Sequence, residues 1–401
     1  MNKRVLAACA ALAAVTGVAA CSSSASSAPG SSTANNGASS GGTIQLAQIS
    51  PTQSQVESAP EMAAAAQAAV KAINAAGGVH GQKLQLTSCN DQFEASLSLR
   101  CAQQAVSNTK TIAMVGTLTG YGPQIMPLLQ QAQLPMVGEV PIAPIDATSA
   151  MAFPMDAGVP GPDIAQPGVA KKYLHATKVV VIQEQQPQTA ANIPYYNIGA
   201  KLSGVKIVKF IAVPADTSDF TSFVAQASAA GAQAMLTTMQ GPQVLGLWKA
   251  LKSTNSPIKV IGTGDGIQSA VVQQAGSLVN GSYLVGGVPF ANSTAATSKQ
   301  FNSELAKYAP KGTAADALAL RAWASVHLVA QVANQIKGPI TRASFLKALK
   351  AYNGPFLWIS DLSWAKPGPI STLPRITSTV VFPASLADGK IVPTDSFDPF
   401  K

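Results

Sequence analysis

From residue 43 onward the chain repeats one rhythm: a short β-rich run, an amphipathic stretch of helical period, then another β-rich run. Such alternation predicts parallel sheets with helices on both faces. Thr43 to Ser50 reads as the first strand. Pro60 to Ala76 reads as a helix with Met62, Ala66, Ala69, Val70 and Ile73 on one face. Gly77 and Gly78 end it. Lys83 to Leu86 starts a strand that runs to Cys89, and Glu94 to Ser107 is the next helix. Thr111 to Gly116 is an unbroken apolar run, the pattern of a strand buried on both faces. A helix to Gln133 and a short strand from Leu134 to Val137 complete a first block.

The rhythm restarts beyond residue 160. Strands are expected at Lys178 to Gln183, Val205 to Val213, Gln233 to Thr238 and Ile258 to Gly262. Helices are expected at Ala190 to Leu202, across "TSDFTSFVAQASAAG" with Ser218 as its cap, and at Gln243 to Lys252. The Gly- and Pro-rich "FPMDAGVPGPD" separates the blocks. A long helix from about Ala314 to Gln335, a shorter one capped by Thr341 and a hairpin in "STVVFPASLADGKIVP" follow. About 360 residues in this pattern exceed one core, so two lobes are expected.

The first 42 residues belong to neither block. Met1-Asn2-Lys3-Arg4 and the apolar run to Ala20 have the form of a secretory signal, too short and alanine-rich for a membrane span. Val18-Ala19-Ala20-Cys21 resembles the bacterial lipobox, in which the cysteine takes lipid and becomes the first mature residue. Residues 22–42 hold no charge and no large apolar side chain, so they read as a disordered tether spanning roughly 25 Å on average. Gly37 to Gly41 matches the hydrolase pattern G-x-S-x-G, but without the strand and helix that such an elbow needs.

Cys89 and Cys101 remain once Cys9 leaves with the signal and Cys21 is lipidated. In an oxidising compartment the pair forms a bridge or stays as two buried thiols. His80, His175 and His327 stand apart, so no metal set and no cofactor is expected. Lys and Arg outnumber Asp and Glu 27 to 18, but they are scattered, which argues against nucleic-acid binding. A hydrolase would need a nucleophile, base and orienter, or a metal, and none is legible. The chain is therefore not expected to be an enzyme.

"AVKAINAAGGVHGQKLQLTSCNDQFEASLSLRCAQQAV" and "ADTSDFTSFVAQASAAGAQAMLTT" resemble bacterial extracellular solute-binding proteins of the leucine/isoleucine/valine-binding type. The second segment carries Asp216, Ser218, Asp219 and Phe220 in the D-x-S-D-F arrangement of that family. The resemblance runs over residues 43 to 400. It implies a type I periplasmic-binding-protein fold: two Rossmann-like lobes, each a parallel sheet flanked by helices, joined by a three-strand hinge. Lobe 1 is expected from 43–158 with about 288–370, and lobe 2 from 159–287 with about 371–401. The Cys89 and Cys101 pair is similar to a disulfide of many members. The implied function is a monomeric, lipid-anchored receptor on the outer face of the cytoplasmic membrane. It closes on a small solute by hinge motion and delivers it to the permease of an ABC importer. A ligand-sensing lipoprotein that signals to a membrane partner is the alternative.

Ligands of open α/β sheets sit beyond the carboxyl ends of the strands. That rule selects Ser50 to Val56, which holds Gln55, then Thr117 to Pro123, Gly138 to Ala143, Gln183 to Thr189, Met239 to Pro242 and Thr263 to Gly266. Thr119, Gly120 and Tyr121 precede a helix whose free N–H groups suit a carboxylate, or they form a tight turn around a packed tyrosine. The resemblance gives Asp265 the ammonium of an amino acid; a helix cap is the other reading. Gln188 and Gln240 stand where family members place aromatic residues, as ligand contacts or solvated loop residues. Gly120, Val140 and Ile142 depart from the hydroxyl and small residues usual in members that bind aliphatic amino acids. The departures open the site to a larger, more apolar or amide-bearing solute, or to an aryl carboxylate, beside an amino acid.

Overall fold

The structure is a computed structural model that describes residues 42–186 and 191–401. The signal, Cys21, the tether up to residue 41 and Gln188 lie outside the described residues. β1 (Thr43–Ile49), β2 (Lys83–Cys89), β3 (Thr111–Val115), β4 (Met136–Val137) and β5 (Ala152–Phe153) form one parallel sheet in the order β2-β1-β3-β4-β5. β3 is buried at every residue, as its unbroken apolar sequence requires. Pro60–Ala75 forms the first helix, with proline at its start, where no intrahelical N–H is needed, and Gly77 at φ 109° beyond its end.

β6 (Lys178–Glu184), β7 (Lys206–Val213), β8 (Ala234–Leu236), β9 (Lys259–Thr263) and β10 (Tyr283–Gly286) build the parallel part of a second sheet. A separate antiparallel pair, β11 (Asn353–Phe356) and β12 (Ile359–Ser363), precedes the terminal hairpin of β13 (Phe382–Ala387) and β14 (Lys390–Pro393). The hairpin joins the second sheet through β10, giving the order β14-β13-β10-β9-β8-β6-β7.

Each sheet has its own apolar core. One gathers residues 44–155 with 288–364, including Phe153, Phe301, Trp323 and Phe345. Residues 165–285, with Val381 and Leu386, pack on the two faces of the second sheet. The chain therefore passes between cores three times: after Met155, between Val285 and Val288, and between Trp364 and Val381. The crossings carry a small apolar nodule of their own, made by Ala147, Ala157, Ile164, Ile370, Leu373 and Ile376. This is the expected arrangement of two lobes joined by a three-stranded hinge.

Two local expectations are corrected. "VPGPD" does not stay a linker: Pro160–Leu174 is a helix. Pro160 and Pro162 lie in its first turn, where prolines cost no hydrogen bond, and its early residues are buried all round, so no helical period shows. Its neighbour Ile193–Ser203 packs closely because Gly199 has no side chain; a Cβ there would lie 2.0 Å from the carbonyl oxygen of Ile164. The helix expected to be capped by Ser218 begins later, at Thr221, and the Asp219 carboxylate accepts the Thr221 N–H at 2.8 Å. The shorter helix Arg342–Ala351 is capped by Thr341, which accepts the Ser344 N–H.

Candidate functional site

The loops that follow β1, β3 and β4 face the same end of the first sheet, as parallel strands require. Gln55 is exposed there beside Val56, which is 75% exposed. Val140 is buried and its N–H donates to the Thr117 carbonyl, whereas Ile142 is 38% exposed.

Thr119 and Tyr121 use their hydroxyls internally. Thr119 Oγ1 pairs with Ser98 Oγ at 3.1 Å, and Ser98 Oγ donates to Asp91 Oδ2 at 2.6 Å. The Tyr121 hydroxyl donates to the Phe93 carbonyl at 2.9 Å. Gly120 lies under the Phe93 ring, where an added Cβ would meet ring carbons at 3.2 and 3.3 Å. The tight-turn reading is the one that the geometry favours.

The anion site expected at the start of the helix Gly122–Gln131 is also largely filled from within. The Tyr121 N–H donates to Thr119 Oγ1 and Pro123 has no N–H. The N–H groups of Gln124 and Ile125 both donate to the Tyr121 carbonyl. The Asp146 carboxylate lies against Gly122, with Oδ1 2.1 Å from where a Cβ would stand. Its Oδ2 accepts the N–H groups of Ile142 and Ala143. Burial raises the Asp146 pKa to about 6, against those two hydrogen bonds. Nearby Glu139 is fully buried, and burial holds its pKa well above the carboxylate range.

On the second sheet, Gln240 is exposed just before the helix Gly241–Ser253 and makes no side-chain cap. Asp265 follows β9 and does hold a cation, but one from the protein itself. Arg321 Nη1 and Nη2 donate to Asp265 Oδ1 and Oδ2 at 3.1 and 3.0 Å. Arg321 Nε donates to Asp156 Oδ2 at 2.8 Å. Arg321 is 0% exposed and the Asp265 side chain 23%. Burial disfavours the arginine's charge, yet the two carboxylates more than offset it and raise its pKa above the usual arginine value. Burial also raises the Asp156 pKa, and Arg321 pulls against that shift.

Arg321 and Asp156 are absent from the sequence-based site. A signal for the first existed: Arg321 is the one Lys, Arg, Asp or Glu in the helix Ala317–Ala333, most of which is apolar. A lone charge there needs a buried partner. Asp265 borders a cavity of about 820 Å³, lined by residues of both lobes. Gln268, Phe290, Asn292, Asn302, Leu318 and Val392 are among its walls, and among the described residues Asp265 is the single expected site residue that reaches it. Among the described residues no cluster of His, Cys, Asp or Glu suits a metal, and no helix is long and apolar enough to cross a membrane. Cys89 and Cys101 are disulfide-bonded, fastening the end of β2 to the helix Ala95–Ser107.

Residues 43–360 match the family model described as periplasmic binding protein. No curated protein sequence matches. Among solved structures, an extracellular ligand-binding receptor from Verminephrobacter eiseniae is 18% identical with a TM-score of 0.73, covering 87% of this chain and 99% of its own. The branched-chain amino acid transporter substrate binding protein LivJ from Streptococcus pneumoniae, in complex with isoleucine, is 18% identical with a TM-score of 0.70, covering 88% and 99%. A solute binding protein of an ABC transporter from Rhodopseudomonas palustris, in complex with p-hydroxybenzoic acid, is 19% identical with a TM-score of 0.71, covering 89% and 97%. At these identities the structures establish a shared fold.

Proposed function

The chain belongs to the periplasmic binding protein family, and we propose that it is a lipid-anchored receptor that captures a small solute between its lobes and delivers it to an ABC importer. One observation carries this reading: two separate sheet cores, joined by three crossings, border a cavity that both help to line. Hinge closure needs that geometry. The lobes are taken as 43–158 with 288–370 and 159–287 with 371–401. Asp265 is the contact at this cavity, and the loops that carry Gln55, Gly120, Val140, Ile142, Gln188 and Gln240 reach the solute as the lobes close. Amino acids and aromatic acids bracket the solute class, because the similar structures above hold isoleucine and p-hydroxybenzoic acid.

Cleavage before Cys21 and acylation of its thiol place the protein on the outer face of the cytoplasmic membrane, as a monomer on a slack tether. Two measurements test the reading. A panel of amino acids, amides and aromatic acids should include a solute that raises the melting temperature and shifts tryptophan emission. Cys21→Ala should move the protein from the membrane fraction to the medium. A Cys21→Ala protein that stays membrane-bound removes the anchor; a panel without any stabilising solute removes the receptor.

A further inference from the structure

Asp265 would offer its carboxylate to an ammonium, but both of its oxygens accept from the fork of Arg321. The two residues come from opposite lobes: Asp265 follows β9 of the second sheet, and Arg321 lies on the helix Ala317–Ala333 of the first core. Building on the solute-receptor reading, we propose that Arg321 is the built-in occupant of the cation position, that it latches the lobes together, and that it restricts the receptor to solutes without an ammonium group.

The cluster is built for this arrangement. Asp156, at the first crossing, holds Nε of the same guanidinium, so Arg321 is positioned by a carboxylate that is 1% exposed. Gly287, at the second crossing, leaves the room required: a Cβ there would lie 2.9 Å from Arg321 Nη2 and 3.2 Å from Asp156 Oδ1. An ammonium that displaced Arg321 from Asp265 would strand a fully buried guanidinium with one partner, an arrangement that costs more than a single salt bridge returns. The opposite charge of a zwitterion fares no better. The helix start at Gly122 lies outside the walls of this cavity and already faces the Asp146 carboxylate. Along the cavity, Asp265 is thus paired by the protein itself, Asp316 accepts the Ala319 N–H and Asp388 accepts from Asn280. The rest of the lining includes Lys390 and the amide and apolar side chains of Gln268, Asn292, Asn302, Phe290, Leu318 and Val392. That surface suits a small organic molecule held by hydrogen bonds and ring or alkyl packing.

The test has two arms on the full chain. X-ray scattering compares wild type with Asp265→Ala and Asp265→Asn, each checked for native circular dichroism. The latch predicts a larger radius of gyration for Asp265→Ala, with Asp265→Asn, which keeps one acceptor for Arg321, in between. A folded Asp265→Ala or Asp265→Asn variant whose curve superimposes on wild type overturns the latch, and Asp265→Asn serves alone should Asp265→Ala not fold. Calorimetry then compares leucine with 4-methylpentanoate and 4-hydroxyphenylglycine with 4-hydroxybenzoate. The ammonium-free member of a binding pair should bind at least tenfold more tightly; tighter binding by the ammonium-bearing member overturns the selectivity. Failure of all four probes counts against solute capture, while scattering still decides the latch.

Discussion

The Trp364 indole Nε1 donates to the Pro154 carbonyl at 3.2 Å, which fastens the start of the third crossing to the first. The Trp364 ring also stands edge-on to Phe153, with centroids 5.3 Å apart. The contact lies at the edge of the first core, where two of the crossings leave it side by side, so relative motion of the lobes changes the surroundings of Trp364. Trp248 is placed differently: it is buried in the core of the second lobe, with its Nε1 donating to Ser282 Oγ at 3.2 Å.

This difference makes a selective reporter. In a variant that retains Trp364 while Trp248, Trp323 and Trp358 are replaced by phenylalanine, solute-driven closure should shift the emission maximum. The matching variant that retains Trp248 should stay unchanged. Emission that is unmoved in the first, with solute binding confirmed by calorimetry, means that the hinge does not pass through this contact.

Asp156→Ala should be among the most destabilising single changes in the chain. It removes the partner of Arg321 Nε at a fully buried site. Removing one member of a buried ion pair costs about 3–5 kcal/mol, because the remaining charge stays out of water. Urea unfolding should show an unfolding free energy lower by that amount, read as a lower midpoint with the slope unchanged. A loss below about 1 kcal/mol would mean that Asp265 alone satisfies Arg321.

Much of the architecture was legible because its signals are local. The apolar run of β3 announces a doubly covered strand, Gly77 and Gly78 end the first helix, and Thr341 caps a late one. The helix Pro160–Leu174 was hidden because its early turns are buried on every side and leave no period to read. The loops beyond the strands were also legible, since strand direction alone selects them. What those loops do with their polar groups was not. Thr119 turns to Ser98 and Tyr121 to the Phe93 carbonyl, partners more than 20 residues away whose approach depends on the whole lobe. Asp265 was found as an acid awaiting a cation, but its partner, Arg321, lies 56 residues further on in a segment that otherwise reads as plain core.

The Cys89–Cys101 disulfide closes a short loop, with the cysteines 12 positions apart. Chain-entropy arguments give such a loop about 3 kcal/mol of stabilisation. The Cys89→Ser/Cys101→Ser double variant should therefore lose about that much unfolding free energy, and unfold at lower denaturant, while keeping its circular dichroism. It should also bind solute as before, since the bridge fastens the carboxyl end of β2 to a helix and neither cysteine lines the cavity. A double variant as stable as wild type would show that the oxidised loop gains little over the reduced one.

Stability should fall as pH rises from about 4 to 6, with Asp146 as a principal cause. Burial raises its pKa from 3.8 to about 6 in the folded protein. The folded state therefore binds this proton more tightly than the unfolded chain does. The contribution is complete below the unfolded pKa and is lost as pH climbs through the folded one. At 1.36 kcal/mol per unit, the swing is about 3 kcal/mol. Glu61, raised to about 7 by burial and by Asp316, acts with the same sign at slightly higher pH. Asp146→Asn isolates the first effect, because an amide oxygen still accepts the N–H groups of Ile142 and Ala143 but cannot titrate. Urea unfolding at pH 4.5, 5.5 and 6.5 should show the gap between variant and wild type changing by a large part of 3 kcal/mol, in favour of the variant as pH rises. A gap that stays constant across this window would mean that Asp146 remains ionised throughout, held so by the helix start at Gly122 against which it lies.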